Sequence, residues 1–234
     1  MTMDFINLES KPRRLIRSFV RRQGRLSDTQ QHALKNLWQQ YGLALEQGML
    51  DFTAIFGRTA PCVLEVGFGM GQSLITQAQQ NPELNYIGVE VHKPGIGNVL
   101  AAIDAQQITN IRLFNADAVE VLQQCIPVNS LTAVQLFFPD PWPKRRHHKR
   151  RLVQAPFVEL IRQRLIANGR FHLATDWQDY AEQMMLVLTQ ATGFANAVAP
   201  NQYAPRSADR PLTKFELRGQ QLGHRVFDLL FVKK

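Results

Sequence analysis

The chain of 234 residues has little cysteine: Cys62 and Cys125 are its only thiols. Two thiols make neither a disulfide framework nor a cysteine metal set, and they fit buried free thiols in a reducing cytoplasm. No stretch is long and apolar enough to span a bilayer, and the opening MetThrMetAspPheIleAsn lacks the basic-then-apolar order of a secretion signal. There is no internal repeat and no low-complexity linker. A disulfide scaffold, a membrane-spanning protein and a solenoid are thereby disfavoured. Acid is missing from two places. Lys11–Arg25 carries seven basic residues and no acid, and Lys144–Arg151 carries six and none. Together they hold 13 of the 27 Lys and Arg, leaving 14 basic against 19 acidic residues elsewhere. An acidic body with two basic grips predicts a defined polyanionic partner, and a nucleic acid is the polyanion expected.

What is present is strand–helix alternation. Residues 1–45 form a basic arm followed by an Ala/Leu/Gln-rich helix over 28–41, capped by Ser27 or Asp28. Residues 46–234 form the main domain. Buried strands are expected at 62–66, 85–91, 111–115, 131–138 and 170–175, each followed by a helix. Lys214–Arg218 and Val226–Val232 add an antiparallel hairpin at the sheet edge. The expected fold is α/β and Rossmann-like: a mostly parallel seven-stranded sheet with helices on both faces and an antiparallel C-terminal edge.

Ligands of such sheets bind at the carboxyl ends of the strands. Five strand ends here present an acid: Glu65, Glu90, Asp117, Asp140 and Asp176. After Glu65 come Gly67, Gly69 and Gly71, a turn that departs from the dinucleotide spacing because position 72 is Gln. Alone, that turn is explained as well by strand–helix packing. Glu90, 23 residues after Gly67, is placed to accept the ribose hydroxyls of an adenosine ligand. Asp117 is placed to accept an adenine amino group, and Glu65 to meet a cationic amino-acid or sulfonium group indirectly. With no third spaced glycine and no cation for a pyrophosphate, the set favours S-adenosyl-L-methionine over a nicotinamide dinucleotide.

Asp140 sits in a turn caged by Pro139, Pro141 and Pro143. Amino-methylating enzymes carry an Asp/Asn-Pro-Pro-aromatic motif at this position, and Asp140-Pro141-Trp142 lacks its second proline. The basic run beyond it, with Arg146, His147, His148, Lys149, Arg150 and Arg151, is a solvated face when taken alone. Beside a candidate active site, and paired with Arg17, Arg21 and Arg22 of the arm, it becomes a phosphate grip. No further ligand stands near His147 and His148, so they are RNA contacts or surface residues and no metal is expected.

The segments RSFVRRQGR (17–25), LEVGFGMGQS (64–73), GVEVHKPGIG (88–97), LFFPDPWPKRRHHKRR (136–151), TDW (175–177), RPLTKFE (210–216) and RGQQLGH (218–224) resemble bacterial tRNA (guanine-N7-)-methyltransferases over nearly the whole chain. The resemblance implies a class I methyltransferase that moves the methyl of S-adenosyl-L-methionine to guanosine 46 in the tRNA variable loop. It implies cofactor contacts at Glu65, Glu90, Asp117 and Asp140, with Asp140 the catalytic candidate. It implies substrate contacts at Lys144, Asp176 and Thr213, Lys214, Phe215 and Glu216. A cytoplasmic monomer or homodimer with tRNA as partner, no membrane and no obligatory protein partner is expected. An amino-methylating nucleic-acid methyltransferase and a non-catalytic RNA-binding module of the same fold are the alternatives.

Overall fold

The computed structural model describes residues 18–19, 24–207, 210–212, 216–217, 223 and 225–234. Its strands are β1 (Gly42–Leu43), β2 (Cys62–Val66), β3 (Asn85–Val89), β4 (Ile111–Phe114), β5 (Leu131–Phe137), β6 (Leu165–Thr175), β7 (Phe194–Asn196) and β8 (Phe227–Lys233). The helices are α1 (Asp28–Tyr41), α2 (Phe52–Phe56), α3 (Gln72–Gln80), α4 (Lys93–Ala105), α5 (Ala118–Gln124), α6 (Ala155–Arg164) and α7 (Gln178–Gln190). One sheet in the order β1-β4-β3-β2-β5-β6-β8-β7 contains every strand of the described residues. The first six run parallel, and β8 lies antiparallel between β6 and β7.

Strand β2 is buried at all five positions, as a central strand covered on both faces must be. Successive side chains alternate between faces. Leu64 and Val66 join Ile87, Val89 and Phe114 in one core layer, while Val63 joins Tyr86, Ile96 and Leu113 in the other. Helix α1 starts on a capping box: Gln30 N–H donates to Ser27 Oγ at 3.2 Å, and Ser27 N–H donates to Gln30 Oε1 at 3.0 Å. Such a cap is worth about 1 kcal/mol. Helix α1, which follows the basic arm, packs along α4, where a side chain on Gly97 would come within 2.8 Å of Gln30 Cβ.

Two expectations are corrected. The sheet has eight strands, not seven, because Gly42 and Leu43 pair with Leu113 and Phe114 at its edge. Two residues carry too short a period to be recognised. Of Lys214–Arg218, expected as an edge strand, only Glu216 and Leu217 lie among the described residues and they are helical, while the strand beside β8 is β7. The buried Glu216 carboxylate is bonded to Arg210, which ties this residue to the interior.

Candidate active site

Strand order reverses between β2 and β5, whose neighbours extend in opposite directions. At the carboxyl ends of these strands lies a cavity of about 570 Å³. Gly67, Glu90, Asp117 and Asp140 line it, together with Trp142 and His92. A switch point of this kind is where open α/β sheets bind ligands.

The glycine turn splits into two functions. At Gly71, where φ is 78°, a Cβ would also come within 2.0 Å of Val99 Cγ2, so backbone conformation and packing both require that glycine. At Gly67 and Gly69 a Cβ would meet nothing within 4 Å, and the requirement there is the positive φ of 70° and 57°. Gly67 fronts open cavity, leaving room for a ligand against the backbone. Gly95 of α4 would drive a Cβ to 1.9 Å from the Gly69 carbonyl, so α4 buttresses the turn only because that residue is glycine. Gly95 and Gly97 were not singled out beforehand, although they are the two glycines of the HKPGIG segment.

Glu90 is held by the backbone. Its Oε2 accepts from Gly69 N–H at 2.8 Å, and its Oε1 accepts from Val91 and His92 N–H at 2.7 and 2.9 Å. Asp117 Oδ1 caps α5 by accepting from Val119 N–H at 2.8 Å. Glu65 lies beneath the turn, buried, with Oε2 lacking a partner among the described residues. Burial, and then the Glu90 charge, push its carboxyl up to about 8, so it carries a proton at neutral pH in the ligand-free protein. Asp140 is exposed at the cavity wall, between Phe138 and Trp142 with positive φ of 51° and 46°. Non-glycine residues rarely adopt that conformation, and two of them frame this turn. Asp176 follows the next parallel strand and does not line the cavity.

The basic run folds as a 3₁₀ helix over Arg145–Arg150. Lys144, Arg146 and Lys149 are exposed. The Arg150 guanidinium lies 4.8 Å from the Trp142 ring centroid, and the His147 ring meets the same indole edge-on at 5.8 Å. Desolvation, then Arg146, Arg150, Lys144 and Lys149, lower the His147 pKa and favour its neutral form. His148 is half-buried, with Nε2 at 3.7 Å from Asp179. Arg151 departs from the grip expected of it. It is only 2% exposed and donates to the Pro141 carbonyl, Gln183 and Asp179. A guanidinium enclosed in this way offers nothing to a phosphate. Arg17, Arg21, Arg22, Thr213, Lys214 and Phe215 lie outside the described residues.

A second buried guanidinium, also not anticipated, stands behind the Asp140 turn. Arg210 makes paired bonds to Glu216 (2.6 and 2.8 Å) and to Asp228 (2.8 and 2.9 Å), and His172 bonds Asp228 at 2.9 Å. Its guanidinium carbon lies 5.9 Å from the Phe137 ring centroid and 5.6 Å from that of Phe138. Burial alone would raise the Asp228 carboxyl, but the bonds from His172 and Arg210 outweigh it and hold Asp228 below its ordinary range. Glu216, implied to be a substrate contact, has its carboxylate bound to Arg210 instead. The sequence signal was the acid six residues after Arg210, inside the RPLTKFE segment.

Sheet order, glycine turn and cavity together define a Rossmann-like methyltransferase fold. A solved 16S rRNA methyltransferase, KamB, matches with a TM-score of 0.58 at 16% identity over 80% of this chain and 94% of its own. A 16S rRNA (adenine(1408)-N(1))-methyltransferase variant from Catenulisporales acidiphilia matches with 0.52 at 14% identity, over 82% of this chain and 91% of its own. A family model described as a putative methyltransferase matches residues 59–229. The tRNA (guanine-N(7)-)-methyltransferase of Serratia proteamaculans is 57% identical over 94% of this chain and 92% of its own length. That of Yersinia enterocolitica is 58% identical over the same shares, and that of Escherichia coli K12 is 54% identical over the same shares. The chain belongs to the tRNA (guanine-N7-)-methyltransferase family.

Proposed function

We infer that this protein transfers a methyl group from S-adenosyl-L-methionine to N7 of a guanosine in tRNA, position 46 of the variable loop. The observation that carries the reading is the continuity of one wall. Gly67, Glu90 and Asp117 face a cavity closed by the Asp140 turn, and that turn runs directly into an exposed basic helix. The relatives' activity supports the same conclusion. S-adenosyl-L-methionine, when bound, supplies an electrophilic methyl on a sulfonium. The open backbone at Gly67, the acceptors of Glu90 and Asp117 and the unpartnered Glu65 oxygen fit its adenosyl and cationic parts.

Guanine N7 carries an in-plane lone pair and no proton, so the transfer needs no general base. Rate comes from holding the purine in line, for which ordered geometry contributes several powers of ten. N7 and O6 are both acceptors, and a carboxylate facing that edge repels it. Asp140 or Asp176 therefore accepts from the ring N–H and amino group on the opposite edge. Asp140, at the cavity wall, also stabilises the purine cation as it forms. Adenine has no ring N–H there and is rejected. Lys144, Arg146, Lys149 and Arg150, with His147 and His148 beside them and the arm's Arg17, Arg21 and Arg22, engage phosphates of the substrate in the cytoplasm. Thr213, Lys214 and Phe215, adjoining Glu216 in the chain, contact it.

The test is methylation of unmodified tRNA with labelled cofactor, guanosine 46 being replaced in the control, with the modified atom mapped by mass spectrometry. Label on N7 of that guanosine is expected. Label on an exocyclic amine would move the protein to the amino-methylating class, and cofactor binding without transfer would leave an RNA-binding module.

A further inference from the structure

Arg151 ends the basic run, yet it is the one arginine of that run turned inward. Its side chain is 1% exposed, and it joins the Asp140 turn to α7. Nε donates to the carbonyl of Pro141, the residue after Asp140, at 2.9 Å. Its terminal nitrogens donate to Gln183 Oε1 at 2.6 Å and to Asp179 Oδ2, both on α7. The guanidinium carbon lies 4.8 Å from the Tyr180 ring centroid, and Tyr180 Oη in turn accepts from Val153 N–H at 3.1 Å. Helix α7 begins directly after Asp176 and Trp177. One planar, always charged fork thus ties the Asp140 turn to the helix that follows Asp176.

We propose that Arg151 is a positioning residue that sets the Asp140 turn against α7, and so the placement of the carboxylate, Asp140 or Asp176, that orients the purine. It does not bind RNA phosphate. The framing backbone supports this, since two residues with positive φ make the turn costly to hold unless neighbouring bonds over-determine it. The proposal rests on the orienting function inferred above for Asp140. Lysine cannot replace the fork: its single ammonium cannot reproduce planar bonds to a carbonyl, an amide and a carboxylate.

Arg151→Lys, Arg151→Ala and Asp179→Asn would be compared with Arg150→Ala. Asp179 is 60% exposed at its side chain, so Asp179→Asn keeps the test open if the Arg151 variants do not fold. Loss of kcat by roughly 10- to 100-fold is expected in the Arg151 variants, the scale of a displacement of about 1 Å. The salt dependence of tRNA binding should stay as in the wild type, while Arg150→Ala flattens it by about 0.7 in log–log slope. A flattened slope with kcat retained in an Arg151 variant would overturn the proposal. In 5-fluorotryptophan-labelled protein, the Trp142 resonance should shift in Arg151→Lys and Asp179→Asn while that of Trp38 stays; an unmoved Trp142 resonance would equally overturn it. A wild-type protein inactive on tRNA would defeat the functional reading alone, because the resonance measurement still decides whether Arg151 sets the turn.

Discussion

Glu90 and Asp228 are both buried carboxylates close to the functional rim of the sheet, and they are held by different means. Glu90 accepts three backbone N–H groups from Gly69, Val91 and His92. Asp228 is held by side chains, Arg210 and His172, that come from 18 and 56 residues away in the chain. On the Glu90 side the donors are part of the loops that form the cavity, so the acid is satisfied wherever those loops fold. On the Asp228 side the acid depends on two other side chains arriving, and they depend on it. The Glu90 half of the rim is therefore preset by backbone amides, one of them 21 residues away in the chain, while the half behind Asp140 is cross-braced by buried charge. The second arrangement concentrates stability in single residues.

The comparison breaks most severely at Arg210. Replacing it with Ala removes the paired bonds to two buried carboxylates, leaving Asp228 only His172 of this pairing and Glu216 the longer contact of 3.6 Å to Arg206, and stability measured by urea unfolding should fall by about 3–5 kcal/mol. Glu90→Gln, by contrast, keeps acceptors for part of its amide cradle, and its expected loss of stability is smaller than that of Arg210→Ala. Its main effect should be weaker cofactor binding in a calorimetric titration. An equal loss of stability in both variants would remove the distinction.

Next in size is Asp140. Asp140→Ala should lower kcat by roughly 100-fold, about 2.7 kcal/mol in barrier, with the cofactor retained. Unchanged turnover would remove Asp140 from the orienting function.

The pH dependence separates the two halves by sign. Glu65 is raised to about 8 by burial and by Glu90, so its contribution is present below the ordinary carboxylate range and is lost as pH rises toward 8. Asp228 is depressed, so its contribution is present above the ordinary range and is lost as pH falls through its folded value. The ligand-free protein should thus be most stable at mildly acidic pH. Above it, the Glu65 contribution should fall by at most ~1.4 kcal/mol per pH unit. Glu65→Gln should abolish the alkaline decline and leave the acid one; thermal unfolding scans across pH 4 to 9 would show it. A decline retained in Glu65→Gln would place its origin elsewhere. The smallest effect is a change of salt slope on neutralising exposed Arg146, which should flatten tRNA binding by about 0.7.

Glycine turn, strand-end acids and basic run were all legible because each is a short segment whose chemistry is local. Gly67 and Gly69 adopt the positive φ that only their residue type allows cheaply, and Glu90 meets its amides within or beside its own loop. Arg151 could not be told from Arg150, since neighbours in a charge run carry the same composition. Asp179 and Gln183, one helical turn apart on α7, together with the Pro141 carbonyl turn one inward while the other stacks on Trp142. The same limit explains Lys214–Arg218, where alternating apolar residues suggested a strand although Glu216 is tethered to Arg210.

The sequence by itself determined the α/β alternation, the glycine turn, the acids at the strand ends and the two basic segments, because periodicity, backbone permissiveness and net charge are properties of short stretches. Tertiary structure alone decided which charges face outward. Burying a guanidinium is tolerable only when several acceptors converge on it, and convergence from distant residues is a property of the packed fold.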